Sequence, residues 1–163
     1  MREYLFHGKR IDNGEWAEGG IIPLDTDSGY VFIAEPFLSA STLPVHEIVK
    51  HHMHLVYPES VGQWTGMHDK NGKKIFENDI VKTQLFYDRP YSSKRKSKQF
   101  IGVVEYKIRT FSGNSVYPKQ DYQAEWSLKF YEDFEKYTHF SWGELWNCEV
   151  IGNVFEDKDL LEG

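Results

Sequence analysis

The fold is decided between residues 61 and 81, where two apolar stretches flank a turn: Val61-Gly62-Gln63-Trp64-Thr65-Gly66-Met67, Asp69-Lys70-Asn71-Gly72 and Lys74-Ile75-Phe76-Glu77-Asn78-Asp79-Ile80-Val81. Asn-Gly supplies the positive φ angles that a tight turn requires. The flanking stretches are therefore predicted to be the arms of a hairpin, or a strand and its connection.

Short strands and turns continue on both sides of this segment. Before it, the turn Asn13-Gly14 and the predicted strand Tyr30-Val31-Phe32-Ile33-Ala34 follow the same pattern. After it, the stretches 100–106 and 149–155 are rich in β-branched and aromatic residues. Strands at this close spacing, with Gly, Asn and Asp in the turns, predict a mainly antiparallel β protein.

Several segments allow two interpretations. Residues 46–56 fit a strand or a short helix, with a strand favoured for the second half, and residues 122–137 fit a strand pair or an amphipathic helix. Ser141 and Glu144 have capping-box spacing, which predicts a short helix over 142–146. The polar stretch 88–99 and the stretch 113–121, which is rich in Gly, Asn and Pro, are predicted to be loops.

The predicted architecture is mainly β, with a β-rich α+β fold as the alternative. A chain of 163 residues and 19.2 kDa can form one domain or two small lobes. We expect an N-terminal β-rich lobe over residues 1–60. The C-terminal lobe, residues 61–163, is expected to be a small barrel or a curled antiparallel sheet.

Composition excludes several classes of protein. The net charge of −6 disfavours a globally basic nucleic-acid coat protein. Cys148 is the only cysteine, so the chain can form neither an internal disulfide nor a Cys-cluster metal site, and a reducing compartment fits best. Neither a signal peptide nor an apolar run of about 18 residues is visible. We expect a cytoplasmic protein that is not membrane-bound and has no cofactor.

Four histidines cluster in His46-Glu47-Ile48-Val49-Lys50-His51-His52-Met53-His54. Lys50 occupies the position where a metalloprotease HExxH motif needs its second histidine, so that motif is absent. On a strand, His52 and His54 would share a face and could bind a metal with a third ligand from elsewhere. The alternative interpretation is a set of partly exposed histidines on an edge strand or at an interface.

Lys94, Arg95, Lys96 and Lys98 form the sharpest charge feature of the sequence. Residues 82–109 contain eight Lys and Arg against two Asp and Glu, a local net charge of +6. Such a basic segment could contact a phosphate backbone or an acidic surface of a partner subunit, or remain a solvated loop. The aromatics that could stack on bases there are Phe86, Tyr87, Tyr91, Phe100 and Tyr106.

No catalytic motif is visible. Cys148 with His139 as a base is the only nucleophile pair to consider, and the apolar strand that follows Cys148 favours a core position instead. We therefore predict no catalytic residues and a protein that is not an enzyme.

Three stretches together resemble the YopX family of small phage and prophage proteins: Arg2-Glu3-Tyr4-Leu5-Phe6-His7-Gly8-Lys9-Arg10 with Asn13-Gly14-Glu15-Trp16, the segment 61–81, and Glu149-Val150-Ile151-Gly152-Asn153-Val154-Phe155-Glu156. The family pattern more usually has Tyr at position 64, Leu at 67 and Gly at 78. The resemblance implies a phage-associated, mainly β accessory protein with a small SH3-like barrel in its second half, and it brings no catalytic residues. The shared residues look structural, with Gly66 and Asn71-Gly72 in turns.

The leading functional hypothesis is a non-enzymatic module that self-associates or binds a protein partner in the host cytoplasm. Nucleic-acid binding through Lys94, Arg95, Lys96 and Lys98 is the second hypothesis. A metal-dependent enzyme that uses His52 and His54 is the third.

Overall fold

The structure is a computed structural model that describes residues 4–23, 29–36, 44–87, 96–112, 120–130 and 147–162. The chain forms two compact units, Met1–Gly66 and Met67–Gly163. The sequence-based boundary at residues 60 and 61 lies before the last strand of the first unit. Among the described residues, no helix is long and apolar enough to cross a membrane.

The first unit is an antiparallel sheet with one α-helix. Its strands lie in the order β4-β3-β2-β1-β5. The helix α1 directly precedes β4, and a 3₁₀ turn at Pro58–Ser60 leads into β5. The elements are β1 (Phe6–Lys9), β2 (Trp16–Pro23), β3 (Val31–Ala34), α1 (Val45–His52), β4 (Met53–Val56) and β5 (Gly62–His68).

This sheet curls because β2 changes partner in its middle. Its first half pairs with β1 and its second half, from Gly20 onward, pairs with β3. A Cβ atom on Gly19 would lie 2.0 Å from the carbonyl oxygen of Ala34, so only glycine allows the two strands to approach there. The curl brings β4 to the residues after β1, where Ile11 N–H donates to the Leu55 carbonyl at 3.0 Å.

The concave face of the curled sheet holds the core of the first unit. Ala17, Ile33 and Val56 are fully or almost fully buried. Partly buried hydrophobic residues pack around them: Phe6, Val31 and Val61. A Cβ atom on Gly8 would lie 2.9 Å from the Val56 side chain, so β1 passes directly over this core.

The second unit contains a four-stranded antiparallel sheet in the order β10-β7-β8-β9. The short strand β6 lies beside β5, whose last two residues belong to this unit. A 3₁₀ turn at Lys158–Leu161 follows the last strand. The strands are β6 (Lys74–Phe76), β7 (Asp79–Tyr87), β8 (Lys96–Ser112), β9 (Gln120–Phe130) and β10 (Glu149–Asn153).

Strand β8 is 17 residues long and belongs to two hairpins. Its first part pairs with β7, from Lys96 opposite Tyr87 to Val103 opposite Ile80. Its second part pairs with β9, from Gly102 opposite Phe130 to Ser112 opposite Gln120. We call this second pairing, residues 102–112 with residues 120–130, the ribbon.

One face of this sheet forms the second core. Its buried residues are Ile75, Val81, Val104, Trp126, Leu128, Cys148 and Val150, with Met67 and Phe130 packed against them. Phe100 is also buried and meets Phe130 edge to face, with ring centroids 5.8 Å apart. β-branched residues at alternating positions favour this half-buried pleated surface.

The mainly β fold class is confirmed, and the region 120–130 is strand rather than helix. The segment 46–56, which fits a strand or a short helix, divides into α1 and β4, so the strand favoured for its second half is confirmed. The loop predictions are wrong at residues 96–99, which belong to β8 because they pair with β7, and at residues 120–121, which belong to β9. The predicted helix over 142–146 and the loop residues 88–95 and 113–119 lie outside the described residues.

The curl of the first sheet should depend on Gly19. We expect Gly19→Ala to lower the free energy of unfolding by at least about 2 kcal/mol, because the new methyl group overlaps the Ala34 carbonyl. Gly20→Ala is the matched control, since nothing lies within 4 Å of its Cβ position. Its effect should stay within about 0.5 kcal/mol. Urea unfolding measures both, and equal effects would contradict this account of the curl.

Candidate functional site

A cluster of buried polar side chains lies in the second unit, at residues that carry the resemblance to the YopX pattern. Asp69 begins it at the turn after β5. Its Oδ1 accepts the N–H groups of Asn71 at 2.8 Å and Lys73 at 2.9 Å, and its Oδ2 accepts the Val150 N–H at 3.1 Å. The carboxylate therefore closes the turn and ties it to β10.

These contacts act on the acidity of Asp69 in opposite directions. Burial raises the pKa of the carboxyl, whereas the three N–H donors stabilise its charged form and lower the pKa. The donors together have the larger effect, so the pKa lies below its usual value. Asp69 is thus an ionised turn residue whose oxygens are occupied by backbone donors.

Asp79, the first residue of β7, is the second buried acid and is only 4% exposed. Its Oδ2 accepts the Phe76 N–H at 2.8 Å, and its Oδ1 accepts the side-chain amide of Asn153 at 3.2 Å. Burial raises the pKa of Asp79 to about 6, since these two hydrogen bonds offset only part of the desolvation. One carboxyl group therefore holds the β6–β7 turn against the end of β10.

Asn153 extends this arrangement beyond β10. Its Oδ1 accepts the Phe155 N–H at 2.9 Å, and its own backbone N–H donates to Oδ2 of Asp157 at 2.9 Å. A Cβ atom on Gly152 would lie 2.7 Å from that Asp157 oxygen, which explains why this position is occupied by glycine. The Asn153 side chain thus joins the turn after β10 to the buried carboxyl of Asp79.

Asn78 occupies a position where the family pattern more usually has glycine, and the backbone explains why. Its φ angle is 67°, in the left-handed region that Asn tolerates better than most non-glycine residues. Its N–H donates to Val104 O and its carbonyl accepts from Val154 N–H, both at 2.9 Å. Gly66 and Gly72 also have positive φ angles, as expected for turns.

The thiol of Cys148 lies in the core, as the sequence predicts. It is fully buried, and desolvation, with the nearby Asp69 charge, raises its pKa to about 12. A thiol with so high a pKa is not a thiolate at neutral pH and is a poor nucleophile. His139, considered as its base, lies outside the described residues.

The two candidate metal ligands lie on different elements. His52 is the last residue of α1 and His54 lies in β4, so the continuous strand that would give them a shared face is not formed. His54 is buried, and its Nε2 lies 3.3 Å from Oε1 of Glu35, too poorly aligned for a hydrogen bond. In the part of the chain that the structure describes, no three His, Cys, Asp or Glu side chains could hold a metal ion.

The four candidate nucleic-acid-binding residues lie partly outside the described residues. Lys94 and Arg95 precede the described part of β8, and Lys96 and Lys98 occupy alternating positions within it, opposite β7. Lys98 is exposed, with its Nζ 5.0 Å from the centroid of the Phe100 ring. Phe100 itself is buried, so it is not the exposed stacking surface that the sequence suggested.

The ribbon carries an apolar surface that sequence reasoning missed. On one face, the buried Val104 is followed by Tyr106 and then by Ile108, which are 49% and 67% exposed. Tyr106 meets Trp126 edge to face with ring centroids 5.0 Å apart. The signal was the alternation Val104, Tyr106, Ile108, which continues past the predicted end of the strand at residue 106.

The contact between Asn153 and Asp79 can be tested by exchanging donor and acceptor. We expect Asn153→Asp to lower the free energy of unfolding at pH 7 by about 2–3 kcal/mol, because it removes a donor and places two carboxyl groups together. Adding Asp79→Asn should restore most of the loss, since an amide at position 79 can donate to the carboxylate at position 153 and still accept the Phe76 N–H. Urea unfolding of the single and double variants measures this. A double variant as unstable as Asn153→Asp would refute the pairing.

The raised pKa of Asp79 predicts a pH dependence of stability. Between its ordinary value of 3.8 and about 6, the folded protein keeps a proton that the unfolded chain releases. The contribution of Asp79 to stability is therefore greatest below about pH 4 and falls by about 3 kcal/mol as the pH rises through 6. We expect the stability difference between wild type and Asp79→Asn to fall by nearly this amount between pH 3 and 7. A difference that is constant with pH would contradict the assignment.

A family match covers the residues of this buried cluster. The family model described as YopX protein matches residues 39–162, which include all the cluster residues but not the N-terminal stretch of the resemblance. A solved structure, the crystal structure of protein EF1440 from Enterococcus faecalis, is similar over 99% of each chain, with 20% sequence identity and a TM-score of 0.40. No curated protein matches. The chain belongs to the YopX family.

Proposed function

We propose that this protein is a phage- or prophage-encoded module that binds protein surfaces in the bacterial cytoplasm and catalyses no reaction. The phage origin rests on the family resemblance. The observation that carries the binding role is the apolar face of the ribbon, which continues from the core into solvent.

The two faces of the ribbon differ in character. Tyr106 and Ile108 extend the apolar face beyond the core residue Val104. On the opposite face, Glu105 and Lys107 form an ion pair. Burying exposed apolar surface against a partner stabilises a complex by roughly 25 cal/mol per Å². An amphipathic ribbon of this kind suits a protein partner, because its apolar end gains from burial while its charged face stays hydrated.

The chemistry of the motif cluster supports a role without catalysis. The oxygens of Asp69 and Asp79 are engaged by backbone and amide donors that hold turns. The Cys148 thiol is buried and its pKa is raised to about 12. These groups therefore support the fold rather than a reaction.

The binding role predicts site-specific crosslinking in cells. With a benzophenone amino acid in place of Ile108, we expect ultraviolet light to produce a discrete protein adduct in a Gram-positive bacterial host. The same replacement at Leu160, another exposed aliphatic residue, is the matched control and should give none. Adducts are detected by denaturing electrophoresis and mass spectrometry. No adduct at position 108, or equal adducts at both positions, would refute the proposal.

Nucleic-acid binding is a second candidate, favoured by the +6 charge over residues 82–109 and by the exposed Lys98 on β8. If four lysine and arginine residues contact phosphates, the affinity should fall with salt at a log–log slope of roughly −3 to −4.

Fluorescence anisotropy with single-stranded and duplex DNA and RNA, at about 50 and 200 mM salt, tests this candidate. Changing Lys94, Arg95, Lys96 and Lys98 to Ser should abolish the binding. Absence of binding by the wild type at low salt would eliminate the candidate.

A further inference from the structure

We propose that Asn71 is a site of spontaneous modification, at which the side-chain amide is lost through a cyclic imide and the turn of the family motif is altered. The site lies in the turn that Asp69 ties to β10. The reaction consumes only water, so this inference is independent of the proposed function.

The reaction joins an asparagine to the residue that follows it. The backbone nitrogen of Gly72 attacks Cγ of Asn71, a C–N bond forms, and the side-chain amide leaves as ammonia. Water then opens the imide ring at either of its carbonyl groups. One opening gives aspartate at position 71, and the other gives isoaspartate, in which the backbone runs through the side chain. Glycine favours the attack because no Cβ atom lies beside its nitrogen.

The chain contains two Asn-Gly pairs, Asn13-Gly14 and Asn71-Gly72, and both lie in exposed turns. Their backbones are alike. Gly14 has a φ angle of 70° and Gly72 one of 83°. The N–H of each glycine donates to the carbonyl that opens its own turn, at 3.1 Å in the first pair and 3.0 Å in the second. The attacking nitrogens are therefore held alike, and other features must decide which pair reacts faster.

The side chains of the two asparagines are held differently. Oδ1 of Asn13 accepts the Glu15 N–H at 2.9 Å, and Nδ2 of Asn13 donates to Oε2 of Glu15 at 3.0 Å. Within the described part of the chain, the side-chain amide of Asn71 makes no hydrogen bond, and its backbone N–H donates to Asp69. Asn13 must therefore break two contacts before its Cγ can turn toward the next nitrogen, whereas Asn71 breaks none.

Local charge acts in the same direction. The attacking nitrogen must lose its proton, and nearby positive charge favours the anion that results. Residues 69–74 contain three lysines and one aspartate, a net charge of +2, and Lys73 among them is exposed. Residues 10–15 contain one arginine, one aspartate and one glutamate, a net charge of −1. Both the side-chain contacts and the charges therefore favour reaction at Asn71.

Isoaspartate at position 71 disturbs the contacts of Asp69. Oδ1 of Asp69 accepts the N–H groups of Asn71 and Lys73, which lie on either side of the modified peptide bond. The isoaspartyl link adds one carbon atom to the backbone between these two donors, so both cannot keep their positions. Oδ2 of the same carboxylate accepts the Val150 N–H in β10. We therefore expect the modification to loosen the turn and to weaken the second unit.

Peptide mass spectrometry of the folded protein, kept in warm and mildly alkaline buffer, measures both asparagines in one sample. We expect Asn71 to convert roughly tenfold faster than Asn13, which corresponds to about 1.4 kcal/mol of activation free energy. Both the aspartate and the isoaspartate product should appear at position 71. Asn71→Gln is the matched control, because the longer side chain closes a larger and slower-forming ring. It should stop the reaction at position 71 and leave the rate at Asn13 unchanged.

Two further measurements test the cause of the difference. Glu15→Ala removes one hydrogen bond and one negative charge from the surroundings of Asn13. It should accelerate Asn13 and leave Asn71 unchanged. Unfolding in urea removes the remaining contacts of Asn13, so Asn13 should gain more from unfolding than Asn71 does. Ion-exchange chromatography then separates the modified folded protein, whose isoaspartyl fraction should unfold at a lower urea concentration than the unmodified fraction.

Four results would overturn the proposal. They are an Asn13 that converts as fast as Asn71 in the folded protein, a folded protein in which neither converts, an unfolding that accelerates Asn71 more than Asn13, and an isoaspartyl fraction as stable as the unmodified protein. None of them bears on crosslinking from position 108, so the proposed function stands or falls separately.

Discussion

The second unit depends on one buried carboxyl group. Asp79 accepts hydrogen bonds from the Phe76 backbone and from the Asn153 side chain, so it joins the start of β7 to the end of β10, which is distant in sequence. Asp69 does the same for its own turn and for Val150. Burying acids is costly, and the raised pKa of Asp79 shows that its partners offset only part of that cost. The family motif in this region is thus a set of turn-holding contacts that keep the paired strands β7 and β10 together.

The first unit depends on a close approach between two strand backbones rather than on buried polar side chains. β2 turns from β1 to β3 at Gly19, where no side chain fits beneath the Ala34 carbonyl. The resulting curl places Ile33 and Val56 inside and leaves Ile22 and Leu55 outside. In the second unit, β8 and β9 continue beyond the part of β8 that pairs with β7, and β8 carries the apolar alternation of Val104 outward to Ile108. The apolar surface of the ribbon thus arises from strands that extend a core pattern into solvent.

Much of the fold could be predicted from local signals. Asn71-Gly72 marked a turn, β-branched and aromatic residues marked β3 and β10, and the isolated Cys148 was placed correctly in the core. For residues 46–56 the sequence left a helix and a strand open, because the apolar residues fit neither period clearly, and the structure divides the segment into α1 and β4. Residues 96–99 were predicted as a loop because they are polar, yet they are strand, since pairing with β7 supplies backbone hydrogen bonds that composition does not reveal. The histidines illustrate the same limit, because a helix end at His52 separates residues that one continuous strand would have aligned.

The sequence by itself determined the mainly β class, the positions of the glycine and asparagine turns, the absence of a cysteine cluster and the charge contrast between the basic segment and the rest of the chain. These follow from local backbone preferences and from counting charges, which need no knowledge of distant contacts. Only the tertiary structure decided that Asp69 and Asp79 are structural acids, since their partners Val150 and Asn153 lie more than seventy residues away. It also decided that Ile22, Phe32 and Leu55 lie side by side on three neighbouring strands. Strand register sets these neighbours, and register depends on the whole sheet rather than on any single segment.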